Sequence, residues 1–359
     1  MKTLVLKASP RKQGFTEKLG TLFLQGAAAA GADMDVADLS EERIRPCLGC
    51  FHCWVKSPGQ CVQADAAAGL LERFLEADAL FAISPLYVFT VSSALKVFME
   101  RTLPLLKPGI DTSVPGPDQN CLRYPSRGPR KMAALLAGGL KSPENFEPAR
   151  QTLMAFARCF RMEWSGLLIR PESYLLGFAV AKPRKMKAIE SAFEKAGAEW
   201  ARSGRIPSEL AQAAAQPLVD DAERFKAYSA IYWEHAMALG DARPGAAGAS
   251  TTRDIRILME EMARHLDPRA AGGLAANIRF RFPDRNMEFT LGISAGRCSL
   301  QSGAGGGFDL SITCPSETWA KIILRELSAA KAMAGPGFQV EGDRALLRRL
   351  GRLFPPPSE

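Results

Sequence analysis

The chain has 359 residues, of which 47% are hydrophobic and 23% charged. That suits about two folded domains and excludes whole-chain disorder, collagen-like repeat and coiled coil. Its net charge of +8 is spread along the sequence, with no basic helix or aromatic-basic ladder, so a solvated basic surface is expected and no nucleic-acid partner.

In chain order, residues 3–8 are a short apolar run closed by Ser9-Pro10, and read as a buried strand. Helical spacing at 16–29 precedes a second strand at 33–39. A helix at 66–77, a strand at 79–83, a helix at 92–103, a strand at 131–137, a helix at 148–158 and a strand at 162–169 follow. This alternation predicts an α/β domain with a doubly wound, parallel five-stranded sheet. Residues 107–130 are rich in Pro, Gly and Ser, which suggests a functional loop or an oligomer contact. Residues 183–238 read as three helices, at 185–203, 207–214 and 219–238. Residues 240–252 carry no large apolar side chain and read as a flexible linker between domains at 1–239 and 253–359. After a helix at 253–266 come strands at 277–282, 287–293, 297–301 and 308–313. Helices at 317–324, 328–333 and 343–353 complete an α+β domain.

No apolar stretch reaches the about 18 residues of a transmembrane helix. The run at 3–6 is too short for a signal-peptide core, so the expected location is cytoplasmic.

The first strand runs into Ser9-Pro10-Arg11-Lys12-Gln13-Gly14-Phe15-Thr16 and then a helix. A helix start offers backbone N–H groups and a positive dipole end to an anion. Ser9 and Thr16 add hydroxyls, Arg11 a charge, and Gly14 close approach. The plain alternative is a βα turn with Thr16 as N-cap. The third strand ends in Pro85-Leu86-Tyr87-Val88-Phe89, again at the carboxyl edge where such sheets bind ligands. Gly138-Gly139 ends the fourth strand at the same edge.

Ser-Pro-Arg-Lys-x-Gly-Phe-Thr, then Pro-x-Tyr and Ser-Ala-Leu-Lys-x-Phe-x-x-Arg (Ser93 to Arg101), together resemble the NADPH-dependent FMN reductase branch of the flavodoxin-like flavoproteins, over residues 1–235. The resemblance implies bound FMN and NAD(P)H as co-substrate. Ser9, Arg11, Gly14, Phe15 and Thr16 would hold the phosphate. Pro85, Leu86, Tyr87 and Val88 would border the isoalloxazine, and Gly138 and Gly139 would close its far side. No catalytic side chain is implied, because the flavin carries the chemistry. The resemblance also implies a homodimer or homotetramer.

Four of the eight cysteines lie together, as Cys47-x2-Cys50-x2-Cys53-x7-Cys61. Compact runs of this kind suit an iron–sulfur cluster, while reduced or redox-active thiols and zinc are alternatives. The spacing is similar to that of iron–sulfur flavoproteins, which implies a [4Fe-4S] centre on those four residues. Such relatives commonly place Asp-Asp after the last cysteine, where this chain has Asp65 and Ala66. Phe51 and Trp54, interleaved with the cysteines, read as a shield for a cluster or a lid over the flavin.

In the last hundred residues, Gly296-Arg297-Cys298-Ser299, the strand around Asp309 and Ile312, and Val340-Glu341-Gly342-Asp343 resemble a sterol carrier protein-2-like domain. That resemblance implies a five-stranded sheet and a lipid or other apolar ligand. The reading is an FMN-dependent NAD(P)H oxidoreductase that passes electrons to a small-molecule acceptor: a quinone, a flavin or an apolar compound. An iron–sulfur electron carrier and a redox-linked lipid carrier are the alternatives.

Overall fold

The computed structural model describes residues 1–177, 183–240, 252–303 and 305–355. The first of two compact units comprises Met1–Leu176 and Arg184–Ala222, and the second holds Gly177, Pro183 and the described residues from Glu223 onward. Apart from its end residues, the expected linker at 240–252 lies outside the described residues.

The first unit contains β1 (Lys2–Lys7), α1 (Phe15–Ala29), β2 (Asp33–Asp38), the short α2 (His52–Val55), α3 (Ala67–Glu76), β3 (Ala79–Pro85) and α4 (Ser93–Glu100). It continues with β4 (Leu106–Ile110), β5 (Asn120–Leu122), β6 (Lys131–Ala137), α5 (Glu147–Cys159), β7 (Glu163–Arg170), α6 (Pro183–Ser203) and α7 (Ser208–Ala215). The main sheet runs β2-β1-β3-β6-β7, and every neighbouring pair is parallel. This is the flavodoxin-like 2-1-3-4-5 order, so the expected doubly wound sheet is present. Its central strands are apolar throughout because both faces are covered. Leu4, Leu6, Leu80, Ala82, Met132 and Leu136 meet Leu70, Phe74, Leu95, Phe98, Leu153 and Phe156 on the side of α3, α4 and α5. On the other face, Phe81 stacks on Phe23 of α1 at 3.9 Å and meets Trp200 of α6 edge-on at 5.4 Å.

Residues 107–130, expected to be a functional loop or an oligomer contact, carry short strands of their own. They contribute to an antiparallel ribbon of β4 and β5. Arg161, bonded to Gln119, Asn120 and Asp111, holds the ribbon to the end of α5. Proline and glycine hid these short strands, which a distant arginine contacts.

The second unit contains α8 (Ala222–Leu239), α9 (Ile255–Arg264), α10 (Pro268–Ala271), β8 (Ala276–Phe282), β9 (Met287–Ser294), β10 (Arg297–Ser302) and β11 (Leu310–Thr313). α11 (Ser316–Ile323), α12 (Ala329–Met333), β12 (Gln339–Gly342) and α13 (Arg344–Leu353) follow. Its mixed sheet has the order β10-β9-β8-β11-β12, with β8 and β11 parallel and the other pairs antiparallel. Alternation along β8 buries Ile278, Phe280 and Phe282 and exposes Asn277 and Arg281, giving a single core face. α8 belongs with this unit because it docks on α9. Tyr228 donates to Glu261, and His235 pairs with Asp254 at 2.8 Å. Cys314 is buried and burial pushes its thiol up to about 12, whereas Cys298 is only half-buried. No helix among the described residues is long and apolar enough to cross a membrane.

Candidate flavin and cysteine sites

Three loops meet at the carboxyl edge of the first sheet. The Ser92 hydroxyl, at the start of α4, donates to Ala8 O at 2.8 Å, joining the first loop to the second. The Leu86 N–H donates to Ala137 O at 2.7 Å, joining the second to the third. The parallel register places all three loops on one side, since every strand ends at the same edge.

In the first loop, Ser9 is buried and its hydroxyl accepts from the Arg11 N–H at 3.3 Å. Gly14 is the N-cap of α1, and no side chain caps the helix. Thr16, the N-cap of the plain alternative reading, instead lies inside the first turn and is buried; Phe15 is half-buried and Arg11 exposed. A Cβ on Gly14 would stand 3.1 Å from both Arg11 Cβ and Arg11 O, so a side chain would crowd the loop.

In the second loop, Pro85 is buried at the end of β3. Tyr87 and Thr90 exchange both backbone hydrogen bonds across Val88 and Phe89, at φ +46° and +63°. Two left-handed residues in succession make a tight hairpin turn, and a β-branched residue there is strained. The turn leaves Val88 90% exposed, with Tyr87 and Phe89 about half exposed. In the third loop, a Cβ on Gly138 would come within 3.2 Å of Leu86 and Phe146, and one on Gly139 would stand 3.3 Å from the Tyr174 ring. The structure thus gathers all eleven residues expected to bind FMN at one sheet edge.

Cys47, Cys50, Cys53 and Cys61 together line a cavity of about 20 Å³, with Phe51, Gln63 and Arg101 among its other walls. All four are free thiols. Burial, followed by the nearby Cys61, Cys47 and Cys50, pushes the Cys53 thiol up. Among the described residues, no three His, Cys, Asp or Glu side chains are grouped closely enough to hold a single metal ion. A four-iron cluster takes one thiolate per iron, and the four cysteines that line this cavity match that donor set. Trp54 is half-buried against the core and donates to Leu103 O at 2.9 Å. Phe51 lies beside it, with ring centroids 5.0 Å apart.

Two residues beside the cysteines received no role from the sequence. Arg101, only 2% exposed, binds Asp65 through both terminal nitrogens at 2.7 and 2.9 Å, and also donates to Arg45 O at 2.7 Å. Burial acts to raise the Asp65 pKa. The Arg101 bond and the N–H groups of Arg45 and Ala67 outweigh it and hold the carboxyl down at about 2. A depressed carboxyl stabilises the fold above its unfolded pKa, and the gain is lost as pH falls through the folded value. The Asp65 carboxylate's contribution through these three partners together, about 2 kcal/mol, is therefore complete above about pH 5 and lost toward pH 2. Denaturant titrations of wild type and Asp65→Asn should differ in stability at pH 5 and converge at pH 2; a pH-independent gap would show the carboxylate is not its source. The signal was present in the sequence: Asp65 follows the last cysteine, and Arg101 closes the Ser93-to-Arg101 motif.

Residues 1–109 match the family model described as NADPH-dependent FMN reductase. Residues 248–359 match one described as alkyl sulfatase C-terminal, which differs from the sterol carrier resemblance. An iron-sulfur flavoprotein of Methanocaldococcus jannaschii is 34% identical over 105 residues, 29% of this chain and 53% of that protein. One from Archaeoglobus fulgidus is 34% identical over 104 residues, 29% of this chain and 46% of that protein. The chain thus spans about half the length of the curated relatives it matches. An FMN-dependent NADH-azoreductase from Bacillus anthracis, solved with FMN, aligns with a TM-score of 0.43 at 17% identity, over 56% of this chain and 99% of that one. The N-terminal segment, which holds two of the three edge loops and the cysteine run, is thus similar in sequence to NADPH-dependent FMN reductases and iron–sulfur flavoproteins.

Proposed function

We propose that the first unit binds FMN at its carboxyl edge and that the chain is an NAD(P)H-dependent FMN oxidoreductase. The observation that carries this reading is the convergence of the uncapped α1 start, the 85–89 turn and Gly138-Gly139 at one edge. Ser9, Arg11, Gly14, Phe15 and Thr16 surround the phosphate position. FMN, when bound, supplies the hydride-accepting and electron-donating chemistry. The residues orient it. Backbone N–H groups at the α1 start would face the phosphate, the 85–88 segment would border the ring, and Gly138 and Gly139 would close its far side. The acceptor is a small molecule, such as a quinone or a flavin. The second unit would supply an apolar ligand pocket, the chain would act in the cytoplasm, and a homodimer or homotetramer would form.

The test is an FMN titration followed by anaerobic addition of NADPH. Purified protein should bind an equimolar amount of FMN and bleach with NADPH. Gly14→Val should weaken FMN at least about tenfold, equivalent to about 1.4 kcal/mol. Unchanged affinity in that variant would remove the first loop from the site.

A second reading is favoured by the four cysteines around one cavity and by the likeness to curated iron–sulfur flavoproteins. In it, Cys47, Cys50, Cys53 and Cys61 hold a [4Fe-4S] cluster that supplies one-electron transfer. Near four irons per chain after anaerobic reconstitution would support it, and the absence of iron would refute it.

A further inference from the structure

We propose that Arg101 is a positioning residue of the four-cysteine site, presenting a fixed positive charge and one unshared N–H to the sulfurs. This rests on the iron–sulfur reading above. Arg101 lines the cavity together with all four cysteines. Its terminal nitrogens are committed to Asp65 and to Arg45 O. Its Nε–H is buried and bonds no oxygen or nitrogen acceptor, and the acceptor the guanidinium reaches is the Cys61 sulfur. A buried donor left unpaired costs free energy, so such a group suits a sulfur acceptor. Cys61 stands within interaction range of the guanidinium. The Asp65 clamp prevents the side chain from swinging away, and the opposing acid on the cavity wall, Glu100, pairs with Lys96 at 2.5 Å.

The consequence is electrostatic. A bound cluster gains one negative charge on reduction. A fixed cation and an N–H···S bond beside it stabilise the reduced state and raise the midpoint potential. The full chain would be reconstituted with ferrous iron and sulfide and titrated with dithionite, which supplies one electron per cluster with no bond made or broken. The reduced cluster would be counted by its paramagnetic signal, and FMN content would be measured alongside.

At the potential where half the wild-type cluster is reduced, Arg101→Gln should lower the reduced-to-oxidised ratio about tenfold, the scale of a lost charge-assisted hydrogen bond. Arg101→Lys keeps a charge against Asp65 but lacks Nε, so it should give a smaller fall. If the glutamine variant does not fold, the lysine variant carries the test. A wild-type midpoint in a variant that holds its full iron would overturn the role of Arg101 and leave the cluster reading standing. A wild type that takes up no iron would overturn both.

Discussion

Glu172→Leu is expected to cost the first unit about 3–5 kcal/mol, the range for removing one partner from a buried ion pair. Glu172 is fully buried just beyond β7, in a left-handed conformation at φ +52°. One carboxylate oxygen accepts from Lys141 Nζ at 2.9 Å. The other accepts from the Leu218 and Val219 N–H groups at 2.5 and 3.4 Å. Arg170, equally buried, has Nη2 3.8 Å from that second oxygen and donates to Ala214 O and Gln216 O at 2.8 Å. Burial pushes the Arg170 pKa down to about 10, against the pull of Glu172. Leucine would leave that cation without its counter-charge and two backbone donors without their acceptor. Thermal unfolding followed by circular dichroism should show a fall of roughly 10 °C. Glu172→Gln, which retains an acceptor, should lose less. Because the Glu172 N–H also donates to Leu140 O, beside Gly138 and Gly139, FMN affinity should fall with stability. A leucine variant that melts within 3 °C of wild type would show that the network does not hold this edge together.

Gly197→Ala should be nearly as damaging, at about 3 kcal/mol, the upper end for overpacking. A Cβ there would lie 1.9 Å from Phe23 O, and one on Gly26 would lie 1.8 Å from Glu194 O. The two glycines let the backbones of α1 and α6 touch. The obstacle is a carbonyl of the facing helix, so no rotamer change relieves it, and the helices must separate. That would loosen Phe23 and Trp200 from Phe81. Gly69 in α3 is the control. A Cβ there meets nothing within 4 Å, so Gly69→Ala should stabilise by about 0.5–1 kcal/mol through helix propensity. Urea unfolding of both variants gives the comparison, and a Gly197→Ala midpoint equal to wild type would show that the helices are not in backbone contact.

What was legible in the sequence was local. Apolar runs at 3–8, 79–83 and 131–137, each closed by turn residues and followed by helical spacing, specify buried parallel strands, because strand and helix periods are short-range properties. Strand ends then locate the edge loops, so Ser9 to Thr16, Pro85 to Val88 and Gly138-Gly139 could be named in advance. The cysteine run was equally visible, since its spacing is contained within fifteen residues.

The tertiary structure alone decided what depends on distant segments. Asp65 and Arg101 lie 36 residues apart, and Glu172 and Leu218 lie 46 apart. No periodicity links such partners. They meet only in the folded chain, where buried Asp65 finds the Arg101 cation and buried Glu172 the Leu218 N–H. The ribbon at 106–122 is tied to Arg161, a residue about forty positions on, and Gly26 and Gly197 matter only because α1 and α6 cross there. Whether four thiols surround one cavity or reach one ion is likewise a question of angstroms between loops, which spacing along a chain does not encode.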